Sequence, residues 1–164
     1  IMMMKPIVFR QEIQPSDVGA ILNIVQSSGF FSAEEVELAC ELACDRLEHD
    51  SKSSYQFLFA LCDDQVVGYT CYGLIPATSS SYDLYWIAVN NEMRGLGLGK
   101  VLLLETEALI HAAGGKQIYA DTSSRSQYRS TQRFYESCGY RSEAVLKDFY
   151  SPGDSKIIYS KCLK

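Results

Sequence analysis

The sequence lacks the features of several large protein classes. No apolar run approaches the ~18–20 residues that a membrane-spanning helix requires, so we expect no membrane partner. Only two histidines are present and no two cysteines are spaced Cys-x-x-Cys. The usual ligand patterns of a metal site are therefore missing, and we expect no metal. Without internal repeats or long linkers, the expectation is a single domain over residues 1–164.

Basic charge is also scarce. Lysine and arginine number 15 against 20 acidic residues, which gives a net charge of −5. Non-specific nucleic-acid binding usually requires a basic face, so we expect no nucleic-acid partner and a small molecule instead. One predicted helix has an acidic face that could attract a cationic substrate, although a solvated helix face explains it more simply. The face comprises Glu34, Glu37, Glu41, Asp45 and Glu48.

The composition does allow a packed core. Apolar residues make up 47% of the 164 residues, which argues against disorder. We interpret the six cysteines as buried, reduced thiols. They are Cys40, Cys44, Cys62, Cys71, Cys138 and Cys162. With no recognisable signal peptide, a reducing cytosol is the expected location.

Apolar periodicity predicts the order of elements: strand, two helices, three strands, helix, strand, helix and two strands. Residues 5–13 are expected to form the first strand, and the first helix is expected from Pro15 to near Gly29. Ser32 and Glu35 predict a capping box that opens the second helix. The later strands are predicted at 55–62, 65–74, 82–89, 117–121, 141–149 and 156–163.

A glycine-rich segment lies between a predicted strand and a predicted helix. Residues 94–100 read Arg-Gly-Leu-Gly-Leu-Gly-Lys. Glycines let the backbone approach a ligand closely, and a helix N-terminus offers N–H groups and a positive dipole end. The segment therefore predicts an anion site, most often for phosphate, with a ligand-free turn as the alternative.

Two nucleotide-binding motifs fit this segment poorly. The P-loop needs Gly-x-x-x-x-Gly-Lys-Ser/Thr, but the spacing from Gly95 to Gly99 is one residue short and Val101 replaces the hydroxyl. The dinucleotide fingerprint needs Gly-x-Gly-x-x-Gly, whereas this loop has Gly-x-Gly-x-Gly. Neither pattern is supported.

A third pattern, Arg/Gln-x-x-Gly-x-Gly/Ala, is met by Arg94, Gly97 and Gly99. It resembles the acyl-CoA loop of the GNAT superfamily of N-acetyltransferases. Residues 134–140, Phe-Tyr-Glu-Ser-Cys-Gly-Tyr, resemble the second signature of that family, and the order and spacing of the two agree. Residues 148–154 look like the closing hairpin of some bacterial members. The chain is identified by resemblance as a member of the superfamily.

The resemblance implies an α+β fold with a mixed, mostly antiparallel sheet of about seven strands and about four helices. It implies acetyl-CoA as cofactor and transfer of its acetyl group to a primary amine of a small-molecule acceptor. A non-catalytic acyl-CoA sensor and a protein lysine or N-terminal acetyltransferase stay open as alternatives, as does a homodimer. Fold alone does not decide between them.

The family pattern also implies which residues hold the cofactor. The diphosphate is expected over the loop, and the pantetheine arm is expected to bond to the backbone at the end of the preceding strand. The loop residues are Arg94, Gly95, Leu96, Gly97, Leu98, Gly99 and Lys100, and the strand residues are Ile87, Ala88 and Val89. Many members carry an asparagine where this chain has Tyr128; Ser123, Ser124 or Ser130 could replace that contact.

The chemistry needs a base and an acid. Alignment with family members that use a glutamate base places Asp83 at that carboxylate, with Asp121 as the other candidate and a strand-start hydrogen bond as the structural alternative. Tyr135 matches the tyrosine that many members use to protonate the leaving thiolate, and the alternative is a core tyrosine. Aromatic residues on the central strands could hold the acceptor or simply pack. They are Tyr69, Tyr72, Tyr82, Tyr85 and Trp86.

Overall fold

The computed structural model describes residues 5–164. The elements follow the predicted order, with short 3₁₀ turns between some of them. The strands are β1 (Val8–Arg10), β2 (Gln56–Cys62), β3 (Gln65–Leu74), β4 (Ser81–Val89), β5 (Gln117–Ser123), β6 (Arg141–Ser151) and β7 (Asp154–Cys162). The α-helices within the described residues are α1 (Asp17–Ser27), α2 (Ala33–His49), α3 (Leu98–Ala112) and α4 (Arg129–Ser137).

The seven strands form a sheet in the order β1-β2-β3-β4-β5-β7-β6. Strands β4 and β5 pair in parallel, whereas β1 with β2, β2 with β3, β5 with β7 and β6 with β7 pair antiparallel. This mixed, mostly antiparallel sheet with four helices in the described chain confirms the predicted α+β fold class.

The chain divides into two compact units. The first contains the chain up to Gly73 together with Trp86–Thr106, and its core includes the buried rings of Phe57, Phe59 and Tyr69. Helix α2 begins at the predicted capping box, in which the Ser32 hydroxyl accepts from the Glu35 N–H and the Glu35 carboxylate accepts from the Ser32 N–H.

The second unit contains Leu74–Tyr85 and Glu107–Lys164. Its strands β5, β7 and β6 are joined by long antiparallel ladders. Tyr135 of α4 packs its ring 5.6 Å from the rings of Tyr140 and Tyr159. The expectation of one domain over residues 1–164 stays a prediction, and residues 1–4 lie outside the described chain.

Two sequence expectations need correction. Strand β1 is three residues long rather than filling residues 5–13, because only Val8–Arg10 finds partners on β2. The cysteines are free thiols but not uniformly buried: Cys71 and Cys138 are buried, whereas Cys44 and Cys162 are exposed. On α2, Ala39, Leu42 and Ala43 supply the buried surface, so Cys44 is left exposed.

No helix within residues 5–164 combines the length and apolar character needed to cross a bilayer.

Candidate active site

The glycine-rich segment forms an exposed turn that leads into α3. Gly95 and Gly97 adopt φ of +78° and +80°, in the left-handed region that favours glycine. A Cβ atom added at either position would have no atom of residues 5–164 within 4 Å. The turn is anchored by the buried side chain of Leu98, the first residue of α3.

This geometry fits a diphosphate. Alternating positive and negative φ turns successive N–H groups toward one concavity, which binds anions. The helical hydrogen bond from the Val101 N–H to the Gly97 carbonyl is 3.2 Å, so the earlier N–H groups belong to the first turn of α3, where a helix has no internal acceptors. Arg94 and Lys100 are exposed at the two ends of the turn. Space, donors and positive charge are therefore all present for acetyl-CoA.

The end of β4 that precedes this turn lies in the first unit. Ile87, Ala88 and Val89 are half-buried. A Cβ added to Gly68 of β3 would lie 3.2 Å from the Ala88 carbonyl oxygen and 3.4 Å from a Val89 methyl group. The end of β4 therefore packs so closely against β3 that only glycine fits at position 68.

Asp83 lies within β4, two residues after its start, in the second unit. Its side chain is half-buried, and it stands opposite Tyr119 in the parallel ladder with β5. Burial raises the pKa of the Asp83 carboxyl, the nearby charge of Asp121 raises it further, and Lys156 opposes both effects. A carboxyl that takes up protons more readily than an ordinary aspartate is suited to act as a base.

Asp121 has a cationic partner of its own. The Lys156 Nζ lies 3.2 Å from the Asp121 Oδ2, and the same ammonium lies 4.5 Å from the centre of the Phe149 ring. The Asp121 side chain is 42% exposed, whereas that of Lys156 is 21% exposed. Asp121 is therefore ion-paired with a lysine, whereas Asp83 has a raised pKa that results mainly from burial.

Tyr135 is buried on α4, where it is 5% exposed. Burial raises the pKa of its phenol, and the charges of Asp121 and then Cys138 add to the effect. The hydroxyl therefore remains protonated at neutral pH and can donate. Asp121 acts electrostatically on both Asp83 and Tyr135, so the structure brings the predicted base, the alternative base and the predicted acid into one electrostatic neighbourhood within the second unit.

The second family signature contains a buried hydrogen-bonded network that sequence reasoning missed. Tyr140, which stands where the family usually has phenylalanine, donates its hydroxyl to the Glu107 Oε2 at 2.8 Å. Lys161 donates to the Glu107 Oε1 at 2.8 Å and to the Cys138 carbonyl at 2.9 Å. The Tyr140 hydroxyl thus helps satisfy a carboxylate that is 7% exposed. The only sign of this network in the sequence is the tyrosine at a position where the family usually has phenylalanine.

The serines proposed to replace the usual asparagine have different surroundings. Ser123 donates to the Asp154 carboxylate, and the Ser124 Oγ accepts from the Ser155 N–H at 2.9 Å. Both therefore fasten the β6–β7 hairpin to the end of β5. Ser130 is exposed in the first turn of α4, next to Tyr128 at the N-terminal cap.

The predicted aromatic residues are divided between the units. Tyr69, Tyr72 and Trp86 belong to the first unit, and Tyr82 and Tyr85 to the second. The Trp86 ring lies 5.1 Å from the ring of Phe31. The Tyr69 hydroxyl and the Trp86 Nε1 are buried and find no hydrogen-bond partner within residues 5–164. Both donors are therefore unsatisfied inside the first unit, which is unusual for buried polar groups.

A separate cleft of about 680 Å³ in the first unit contains none of the predicted site residues. Its lining includes the Arg10–Asp17 ion pair, with N–O distances of 2.7 and 2.9 Å. Because Asp17 also accepts from the Gln14 N–H, this pair has a structural role in joining β1 to α1.

Comparisons with known proteins agree with this architecture. The family profile described as an acetyltransferase (GNAT) domain matches residues 53–142. A protein from Desulfovibrio desulfuricans, assigned to the GNAT family of acetyltransferases, is 43% identical, with 97% of this chain and 100% of that chain covered and a TM-score of 0.95. No curated protein matches the sequence.

More distant structures share the fold. The ribosomal-protein-S18-alanine N-acetyltransferase from Escherichia coli is 15% identical, with 97% of this chain and 95% of that chain covered and a TM-score of 0.74. An aminoglycoside 6′-N-acetyltransferase complexed with coenzyme A is 17% identical, with 96% and 97% covered and a TM-score of 0.74.

The chain belongs to the GNAT family of acetyltransferases. Its family membership makes it an acetyltransferase.

Proposed function

We propose that the protein transfers the acetyl group of acetyl-CoA to a primary amine of a small-molecule acceptor. The observation that carries the proposal is the arrangement around Asp121 in the second unit. A half-buried carboxyl with a raised pKa and a buried, protonated phenol both interact with it. These are the two proton-transfer groups that aminolysis of a thioester needs.

The glycine-rich turn and the end of β4 bind different parts of the cofactor. Bound acetyl-CoA supplies the activated acetyl thioester. Backbone N–H groups from Gly95 to Lys100 bind its diphosphate, and the backbone of Ile87, Ala88 and Val89 bonds to its pantetheine arm. Arg94 adds positive charge, while Leu96 and Leu98 alternate with the glycines that shape the turn.

Side chains of the second unit carry out the proton transfers. An alkylamine has a pKa of about 10.4, so at neutral pH almost every molecule is protonated and must lose a proton before it can attack. Asp83 accepts that proton, directly or through water, and the neutral amine nitrogen then bonds to the acetyl carbon. As the carbon–sulfur bond breaks, Tyr135 donates its proton to the leaving sulfur, and the second proton lost by the nitrogen restores the phenol.

The protein is further proposed to act in a reducing cytosol, since all six of its cysteines are free thiols. A bacterial source and a homodimer stay predictions.

The test is thiol release from acetyl-CoA with a panel of amines, amino acids and peptides. Tyr135→Phe is expected to lower turnover at least ~10-fold, because it removes the acid but keeps the ring. An unchanged rate with an amine that the wild type acetylates would remove Tyr135 from the mechanism. Acetylation of peptides alone would favour a protein acetyltransferase, and binding without turnover of any acceptor would favour a sensor.

A further inference from the structure

A diagonal row of charged side chains crosses three strands of the second unit. Asp83 stands opposite Tyr119 in the ladder of β4 with β5, and Asp121 follows two residues later on the same face of β5. Asp121 stands opposite Ile158 of β7, and Lys156 lies two residues away on that same face. Residues related in this way are diagonal neighbours within reach of long side chains.

The ammonium of Lys156 is held from two sides. On one side it pairs with the Asp121 carboxylate at 3.2 Å, and on the other it lies 4.5 Å from the centre of the Phe149 ring. A cation above an aromatic face is attracted by the negative face of the ring. With the lysine side chain only 21% exposed, its position is well defined.

The ring of Phe149 is presented by a bulge in the β6–β7 hairpin. Between the pairs Leu146–Lys156 and Ser151–Asp154, β6 has four residues where β7 has one. Asp148, within this bulge, adopts φ of +55° and accepts from the Gly153 N–H at 2.9 Å. Its own N–H donates to the Ser155 Oγ at 3.2 Å.

The hairpin is in turn fastened to β5. The Ser155 N–H donates to the Ser124 Oγ, the Ser124 N–H donates to the Ser155 carbonyl, and the Ser123 hydroxyl donates to the Asp154 carboxylate. These bonds fix β7 beside β5 at the level of Lys156. The position of the ammonium is therefore a property of the folded hairpin.

We propose that Lys156 is a positioning residue for the transfer reaction: by neutralising Asp121 under the ring of Phe149, it leaves Asp83 as the carboxylate that takes the proton of the acceptor amine. The inference rests on the proposed function of Asp83. Without Lys156, the unpaired charge of Asp121 would act on Asp83 alone, and Asp83 would stay protonated to higher pH. The charged groups that act on Asp83 are Asp121 of β5 and Lys156 of β7, and Tyr119 is its ladder partner.

Removing Lys156 and removing the charge of Asp121 should shift the pKa of Asp83 in opposite directions. Lys156→Met removes the positive charge, so the pKa of Asp83 should rise and the acid limb of kcat/KM should move to higher pH. Asp121→Asn removes the negative charge, so both should move to lower pH. Lys156→Arg keeps the charge and should restore most of the wild-type profile. Lys116→Met removes an exposed lysine of the same unit and should leave the profile unchanged.

Carbon-13 NMR titration of the Asp83 carboxyl in the full chain measures the same shifts without any acceptor, and Asp83→Asn identifies the resonance. Thermal unfolding of each variant checks that the fold is retained. Opposite shifts in Lys156→Met and Asp121→Asn support the proposal. An Asp83 midpoint that Lys156→Met leaves unmoved overturns it. If the midpoints shift as expected while Asp83→Asn keeps full activity, the electrostatic coupling stands, but Asp83 is not the base and the proposal fails with it.

Discussion

The two units differ in one respect, the presence of buried side-chain donors without a partner in residues 5–164. The first unit also pairs buried groups, Asp17 with Arg10 and Thr70 with Thr106. In the second unit, Glu107 accepts from both Tyr140 and Lys161, and Asp121 pairs with Lys156. In the first unit, the Tyr69 hydroxyl and the Trp86 Nε1 are buried with no partner among the described residues. Its glycine turn is open, with nothing near the added Cβ positions of Gly95 and Gly97.

Under the proposed function, the first unit binds acetyl-CoA at its open glycine turn, and the second unit carries the proton-transfer groups. The second unit has fixed charges whose partners are supplied by the protein itself, as groups that must keep a defined protonation state should. Changes in the second unit should therefore alter rate and pH dependence, whereas changes in the first should alter binding.

The largest effect is expected from Asp83→Asn. A matched general base typically contributes ~10²–10⁴ in rate, so kcat/KM should fall by about that factor. The wild-type rate should rise with pH through the raised pKa of Asp83, because the base works only when deprotonated, and this acid limb should lie above the range of an ordinary aspartate. A pH–rate profile of both proteins measures the two effects. Retention of the acid limb in the variant would assign it to another group.

Glu107→Gln should lower the free energy of unfolding by about 2 kcal/mol. It removes a charged acceptor from Lys161 and Tyr140, and hydrogen bonds to charged groups contribute roughly 1.5–3 kcal/mol each. Urea denaturation gives the value. Glu105→Gln changes an exposed residue of the same helix and should leave stability within about 0.5 kcal/mol. Equal effects of the two changes would show that the buried network adds nothing.

The smallest effect is a gain of stability. Tyr69→Phe removes a buried hydroxyl that has no partner in residues 5–164, so the free energy of unfolding should rise by about 1 kcal/mol. Tyr159→Phe is the matched control in the second unit, where the hydroxyl donates to Glu136 at 3.3 Å, and its loss should be neutral or destabilising. If Tyr69→Phe destabilises the protein as well, the hydroxyl is satisfied by water.

Short sequence patterns predicted much of the fold because the structures they indicate form between residues close together in the sequence. The capping box of Ser32 and Glu35 is present as expected, and β3 has the predicted bounds of 65–74. Asp63 and Asp64, which join β2 to β3, adopt φ of +50° and +62°, and aspartate tolerates this conformation in tight turns. The order of all eleven major elements follows from such signals together.

The electrostatics of the candidate site could not be predicted in the same way. Lys156 meets Asp121 only because β5 pairs with β7 in one register, and pairing across 35 positions leaves no local trace. The four-residue bulge that carries Phe149 interrupts the alternation of β6, so sequence periodicity would have turned that ring to the wrong face. Asp83 and Tyr135 were found through family resemblance, and their roles stay predictions.

The central claim is that cofactor binding belongs to the first unit and proton transfer to the second. Calorimetric titration of acetyl-CoA into one variant of each unit tests it most directly. Gly97→Glu places a side chain and a negative charge over the glycine turn, and it should weaken binding at least ~100-fold, or about 2.8 kcal/mol. Gly29→Glu is its control, since Gly29 also has positive φ, at +62°, and open space around it. Tyr135→Phe should bind acetyl-CoA as the wild type does while losing turnover. Wild-type affinity in Gly97→Glu, or lost affinity in Tyr135→Phe, would contradict the account.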